Sequence, residues 1–461
     1  MKLYFYGGAK TVTGANYLLE GEPNTKGATT KILIDCGLIQ GSKKAEAENY
    51  DPLPYNAKTI DAILVTHAHI DHTGRIPYLY KLGFRGPIYS TTPTKDFAEE
   101  LLIDSQGLIA KEAYKDARDP LYAPQEVKGA LNLWQGVRYH EIVRVKEFDI
   151  EFYDAGHILG SSFIKITANY SQGKKTIVFS GDIGNVKTPL VKDTEQLPEA
   201  DYVVMEALYG NKIHKHTEDR KSILEDMIEE SVIAGGVLMI PSFAMERTQE
   251  LLYEINELIE NARIPRLPVF IDSPLAIKLL TAYKRYSNDA DYFDYEAMEL
   301  FKQGDEIFNF PGLTFTLTTE QSKKIHQVAS PKVIIAGSGM GDGGRIIYHA
   351  LQYLSDPANT ILFISYQPPG SLGRKLLNGE KIVKILGEEV VVRCRVRQIS
   401  GYSAHGDQKK LLEWLRPMKT KIKNLYLVQS EDSAATVFAE KTRDELAINA
   451  LIPEADSVVE L

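Results

Sequence analysis

Thr66-His67-Ala68-His69-Ile70-Asp71-His72-Thr73-Gly74 packs three imidazoles and a carboxylate into six consecutive positions, directly behind the apolar run Ile63-Leu64-Val65. The run reads as a buried strand, and Ile76, Leu79 and Tyr80 on the way to Gly83 carry helical spacing. The histidines therefore sit at a strand-to-helix corner. His67 and His69, two apart in an extended turn, can point toward one centre, while Asp71 and His72 can face a second centre beside it. Neutral imidazole and carboxylate suit zinc, and two metals sharing ligands form a hydrolytic clamp. The bland alternative is a polar loop whose histidines only cap a helix. Three of the chain's ten histidines fall in this one stretch, with an aspartate between them, which favours the metal site.

Other strand ends carry the same chemistry. Strands are expected at Lys2 to Tyr6, Asn16 to Glu20 and Lys31 to Ile34, the last ending in Asp35, which either caps the next turn or orients a ligand histidine. Residues 42–59 read as a solvated loop, and Thr94 to Tyr114 as a helical arm. Phe148 to Tyr153 precedes a Gly-flanked corner bearing His157, a candidate third imidazole. Thr176 to Phe179 runs into Asp182, whose two oxygens let one residue bridge two metals. Asp201 to Met205 runs into Glu206. Strand ends that repeatedly deliver His, Asp or Glu imply one shared rim.

At 461 residues the chain can hold two or three cores, and 44% hydrophobic with 25% charged residues marks an ordinary globular protein. A net charge of −9 excludes a broad electropositive surface, so nucleic-acid contact is confined to a local groove. The N-terminus lacks a signal-peptide layout and no apolar run approaches membrane-spanning length, so no membrane association and a cytoplasmic location are expected. Cys36 and Cys394 form no paired spacing and read as packed thiols.

From about residue 208 strands and helices alternate. A helix from Glu218 to Ile233 precedes strand Val237 to Ile240, and later strands at Val269, Val333 and Ile361 are each separated by helices, the pattern of a parallel α/β sheet. The corner Gly337-Ser338-Gly339-Met340-Gly341-Asp342-Gly343-Gly344-Arg345 follows a buried strand. Its amides around Ser338 and Gly339, helped by Arg345, either cradle a phosphate or form a purely structural tight turn; Asp342 breaks the dinucleotide fingerprint. Val390 to Arg397 alternates apolar and basic, placing Arg393, Arg395 and Arg397 on one strand face, read as a solvated edge. His405 stands just before an amphipathic helix through Leu411, Leu412, Trp414 and Leu415, where such a residue often only caps.

Taken together, His67-Ala68-His69-Ile70-Asp71-His72, Ala155-Gly156-His157, Ser180-Gly181-Asp182, Met205-Glu206 and Ser403-Ala404-His405 resemble the motifs of the metallo-β-lactamase superfamily and, within it, the β-CASP branch of nucleic-acid-processing nucleases. Pro241-Ser242-Phe243-Ala244 and Asp272-Ser273-Pro274 add to the likeness, which spans nearly the whole chain. The resemblance implies an α/β fold: an αββα sandwich assembled from residues 1–207 and 399–461, with an inserted β-CASP domain of mainly parallel sheet over 208–398 and substrate in the cleft between. It implies two zinc ions, with manganese as an alternative. One would be held by His67, His69, His157 and Asp182, the second by Asp71, His72 and the bridging Asp182. Asp71 and Asp182 would thus serve catalysis as well, Glu206 would orient His405, and His405 would donate a proton to the leaving oxygen or stabilise charge. The implied activity is zinc-dependent phosphodiester cleavage of single-stranded RNA by metal-activated hydroxide, in RNA processing or decay.

One position departs from the family pattern. Where relatives carry a further metal-ligand histidine after the strand Leu425 to Val428, this chain has Gln429, which offers an oxygen but is a poorer zinc ligand than imidazole. Two alternatives therefore stand beside the ribonuclease: a weakly active or non-catalytic RNA-binding scaffold, and a hydrolase of small esters or lactones. Neither reading fixes the oligomeric state or excludes protein partners.

Overall fold

Apolar stretches of four to seven residues at both ends of the chain form strands that close on one another. The computed structural model describes every residue except 187, 216–218, 304–305 and 369. It divides into two units, Met1–Ile213 with His405–Leu461, and His214–Ala404.

In the first unit the C-terminal strand Ser457–Glu460 pairs antiparallel with Lys2–Gly7, Lys2 opposite Glu460. Asn16–Glu20, Lys31–Ile34, Ala62–Leu64, Ile88–Thr91 and Trp134–Val137 follow outward to complete a seven-stranded sheet. The second seven-stranded sheet runs Ala450–Leu451, Asn424–Val428, Tyr202–Glu206, Gly173–Phe179, Ser162–Tyr170, Phe148–Asp154 and Val143–Val145. Phe5 meets Tyr426 and Tyr17 meets Phe179 across the interval, with ring centroids 5.5 and 6.1 Å apart, so the two sheets share one apolar layer. Helices Gln408–Leu415 and Asp432–Leu446 bury Leu411, Trp414, Ala435 and Phe438 against the second sheet. On the first sheet lies the helix Thr92–Lys115, begun by Thr91, whose hydroxyl accepts from the Thr94 amide, and by Pro93 in its first turn. This is the αββα sandwich.

The second unit is built on a six-stranded sheet in the order Leu313–Phe315, Val269–Asp272, Lys332–Ala336, Val237–Pro241, Thr360–Phe363, Arg395–Gln398. Every neighbouring pair is parallel. Its inner strands are buried along their whole length, as a sheet covered on both faces requires. Its helices include Arg220–Ile233, Arg247–Glu260, Pro274–Tyr286 and Ile346–Tyr353.

Three local expectations are corrected. Residues 42–59 are not a plain loop: Lys43–Ala47 is helical and Glu48–Tyr50 and Ala57–Thr59 are single 3₁₀ turns, started by Ser42 and Asn56 acting as caps. Val390 to Arg397 is not one strand. Glu388–Val391 belongs to a hairpin with Ile382–Ile385, and the amides of Arg393 and Cys394 both bind the Leu354 carbonyl, turning the chain before Arg395–Gln398 joins the sheet. Arg393 is therefore off the strand that carries Arg395 and Arg397. The helix expected from Glu218 runs Arg220–Ile233, and Glu218 lies outside the described residues. Among the described residues no helix is long and apolar enough to cross a membrane.

Phe438 is fully buried between its helix and the second sheet. Phe438→Ala should lower unfolding stability by about 3–5 kcal/mol, seen as a fall in urea midpoint at unchanged slope; a midpoint within error of wild type would show that the helix contributes little to this core.

Candidate metal centre

Strand pairing sets the site. Gly173–Phe179, Tyr202–Glu206 and Asn424–Val428 run parallel with Phe179 opposite Val204 and Glu206 opposite Val428, which places Asp182, Glu206 and Gln429 at one end of the sheet. On the facing sheet Ile34 is opposite Leu64, so Asp35 and the His67 corner emerge side by side. The corner is fastened by main-chain bonds: the Ala15 amide donates to Asp71 O and the Cys36 amide to His72 O. Gly37 is required there, since a Cβ would sit 1.5 Å from Asp71 O. His405 is brought in by a bridge to Gly184 and by the Gly406 amide donating to Ile183 O at 2.7 Å. Gly184 in turn passes so close to Gly156 that a Cβ would lie 1.9 Å from its carbonyl oxygen.

Two groups of donors meet on either side of Asp182. His67, His69, His157 and Asp182 offer ligand atoms that all lie within 4.8 Å of one another. Asp182 Oδ2 is 3.3 Å from His67 Nε2 and 3.5 Å from His157 Nε2. Its other oxygen, Oδ1, is 3.4 Å from His72 Nε2, and Asp71 Oδ2 lies 3.9 Å from the same nitrogen. His72 Nδ1 is 2.7 Å from Asp35 Oδ2, while Asp35 accepts from the amide and hydroxyl of Thr66, each at 2.8 Å. A carboxylate only accepts, so the proton of neutral His72 sits on Nδ1 and the Nε2 lone pair is aimed inward. Gln429, in a left-handed conformation at φ 48°, points its carboxamide into this second group. Its Nε2 donates to Asp182 Oδ1 at 3.0 Å and lies 2.8 Å from His72 Nε2.

Burial lowers His67, and drives His69 and His157 well below the ordinary histidine range, so these three rings present lone pairs. For Asp182 burial acts the other way, yet His72, His67 and His405 outweigh it and hold the carboxyl well below its usual range. Burial opposes the charge on His72 too, but Asp182, Asp35 and Asp71 raise it well above 6.5. Burial pushes Asp71 up. A deprotonated imidazole trio around an ionised carboxylate fits a divalent cation such as zinc. On the far side His405 Nδ1 lies 3.2 Å from Glu206 Oε2 and 3.9 Å from Asp182 Oδ2. Although burial works against it, Glu206 and Asp182 lift His405 to about 9. Glu206 itself is raised by burial, with His405 opposing, and accepts from the Ile183 amide at 2.5 Å.

Residues 26–203 match a metallo-beta-lactamase superfamily domain, 248–376 a Beta-Casp domain, and 389–453 a Zn-dependent metallo-hydrolase RNA specificity domain. Ribonuclease TTHA0252 of Thermus thermophilus is 37% identical over 417 residues, covering 90% of this chain and 91% of that one. The chain belongs to the β-CASP family of metallo-β-lactamase-fold metallohydrolases. Transcription termination factor FttA of Methanosarcina mazei is 30% identical over 453 residues, 96% of this chain and 69% of the factor. A crystal structure of a protein of unknown function from Enterococcus faecalis V583 shares the fold at TM-score 0.54 and 13% identity, over 100% of this chain and 99% of that one.

Ser338, Gly339 and Arg345 belong to the second unit, the metal-ligand group to the first. The Arg345 guanidinium donates to Asp272 Oδ1 at 2.7 Å and to the carbonyls of Thr316 and Leu317, both at 2.8 Å. The Gly-rich corner closes on itself through Ser338 N to Gly343 O and Gly341 N to Ser338 O, with Gln367 donating to Gly339 O. It is a tight turn that anchors an arginine. Thr66 ties Asp35 in place and lies 3.1 Å from His67 Nδ1; its only signal in the sequence is a hydroxyl directly before the first histidine.

The His405–Glu206 pair predicts a pH response. In chelator-treated protein His405 should titrate at about 9 instead of 6.5. Its stabilising contribution is then full below the unfolded value and lost as pH rises through the folded one. Glu206→Gln should move the His405 ring resonance back toward the ordinary histidine range, and a value unchanged in that variant would show that Glu206 is not the cause.

Proposed function

We propose that this chain is a metal-dependent ribonuclease that hydrolyses phosphodiester bonds in single-stranded RNA, in cytoplasmic RNA processing or decay. The observation that carries the reading is Asp182 standing between two donor groups, with the His405–Glu206 pair 3.9 Å from its Oδ2. The relative named a ribonuclease and the match to an RNA specificity domain supply the substrate class. His67, His69, His157 and Asp182 would hold one zinc, and Asp71, His72 and Asp182 a second, with manganese as an alternative. Bound divalent ions supply water activation and neutralisation of charge developing on the phosphoryl oxygens.

The side chains divide the remaining work. Asp35 and Thr66 keep His72 aimed, so that the second group is preorganised before substrate arrives. Asp71, half-buried and raised by desolvation, orients the attacking water and takes up the proton it loses as its oxygen bonds to phosphorus. As the water oxygen bonds to phosphorus and the ester P–O bond breaks, His405 gives its proton to the leaving oxygen, and Glu206 holds the ring in place and stabilises its charged form. His405→Ala should therefore lower cleavage of 5′-labelled single-stranded RNA by roughly 10²–10⁴-fold while the first zinc stays bound. Cleavage at the wild-type rate would sink the proton-donor role.

Gln429 favours a second reading, a protein retained for binding RNA. The carboxamide nitrogen hydrogen-bonds to Asp182 and reaches His72, two groups that an ion in the second position would use, and amide nitrogen is not a zinc donor. The centre should accordingly bind one zinc tightly and a second weakly. Metal analysis after gel filtration is expected to give about one ion per chain, rising toward two in Gln429→His because imidazole is the better zinc ligand. Two tightly held ions in the wild type would remove the case for a weakened second position. One ion with no RNA cleavage in added zinc or manganese would decide for the binding protein.

A further inference from the structure

The β-CASP unit carries a groove of about 610 Å³, well apart in sequence from the metal ligands, between helix Leu372–Leu377 and the strand Arg395–Gln398. That strand is the last of its sheet and pairs only with Thr360–Phe363 among the described residues. Lys381, Arg393, Arg395 and Arg397 line the groove against a single lining carboxylate, Glu380. In a chain of net charge −9 such a concentration of cations stands against the general field of the protein.

Their partners separate these cations by use. Arg395 is held by the fold: it lies 3.5 Å from Glu230 and donates to the Ala358 carbonyl at 3.2 Å. Among the described residues Arg397 reaches only the carbonyl of its own neighbour Val396, at 3.5 Å. No hydrogen bond or ion pair ties down the exposed side chains of Lys381 or Arg393 among the described residues. Three cations thus face one groove without an internal acid, beside a floor of Leu376, Cys394 and Val396.

We propose that this groove binds the sugar-phosphate backbone of single-stranded RNA outside the metal centre, an inference that rests on the RNA reading above. Arg397 on the edge strand, Arg393 on the turn before it and Lys381 beside them present several charges to one groove, which a chain of phosphates engages more fully than a lone phosphate does. No aromatic ring lines the groove, so it offers no stacking platform and contact falls on phosphate and sugar, without choice of base. The segment matched to an RNA specificity domain, 389–453, includes Arg393, Arg395 and Arg397. The groove therefore adds affinity for longer RNA without reading its sequence.

The test is the triple variant Lys381→Gln, Arg393→Gln, Arg397→Gln of the full chain, all surface changes. Anisotropy of fluorescein-labelled RNAs of short and long length is followed against salt. Neutralising three contacts should cut the slope of log affinity against log salt by about 2 for the long RNA and weaken it about tenfold or more at low salt. Hydrolysis of a dinucleotide should be unchanged. If wild type and variant bind long RNA alike with equal slopes, the groove assignment falls and the ribonuclease reading stands. A wild type that neither binds nor cleaves RNA brings down both. A variant that keeps RNA but loses a polyglutamate peptide would assign the groove to acidic polypeptide and overturn the RNA proposal.

Discussion

The first unit depends on one carboxylate kept out of water. Asp182 is 3% exposed, and its oxygens lie 3.3 to 3.5 Å from the imidazoles of His67, His72 and His157. A buried charge is tolerated only when its partners are fixed in place, and side chains on a loose loop do not supply that. The sandwich meets the requirement by ending strands of both sheets at the same rim, so that each ligand inherits the rigidity of a hydrogen-bonded ladder. Parallel pairing of the strands before Asp182, Glu206 and Gln429 is what sets their spacing. Glycines at 37 and 184 let main chains approach closer than any side chain allows.

The same constraint explains which parts of the architecture are readable in the sequence. A strand that ends in a polar residue announces itself, because an apolar run of four or five residues has no reason to stop on Asp or His unless that side chain is wanted at the sheet edge. The αββα sandwich and the parallel α/β unit, whose strands are plain apolar runs, are legible for this reason. Illegible are features decided by distant partners. Val390 to Arg397 looks like one alternating strand, but the Leu354 carbonyl captures two successive amides and breaks it. Asp35 leaves a cap and an orienting role equally open until Thr66 and His72 are seen around it. The posture of Gln429 follows from a left-handed backbone that no propensity assigns to glutamine.

Charge is organised by the same division between groups the fold uses and groups it leaves to solvent. Arg220, Arg247 and Arg345 look in sequence as available to an anion as Arg393 and Arg397 do. Yet Arg220 is buried on Glu254 and Arg247 on Glu250, and the half-buried Arg345 is paired with Asp272. A cation already paired in a dry interior has little counterion atmosphere to release and would have to abandon an acid to take a phosphate, leaving that acid buried and alone. Only the cations without an internal acid gain from a polyanion. On a protein of net negative charge this makes the count of arginines a poor guide to nucleic-acid binding, and the location of unpaired ones a better guide: Arg345, beside a glycine-rich corner, serves the fold, while Arg397, on an edge strand, is left for a partner.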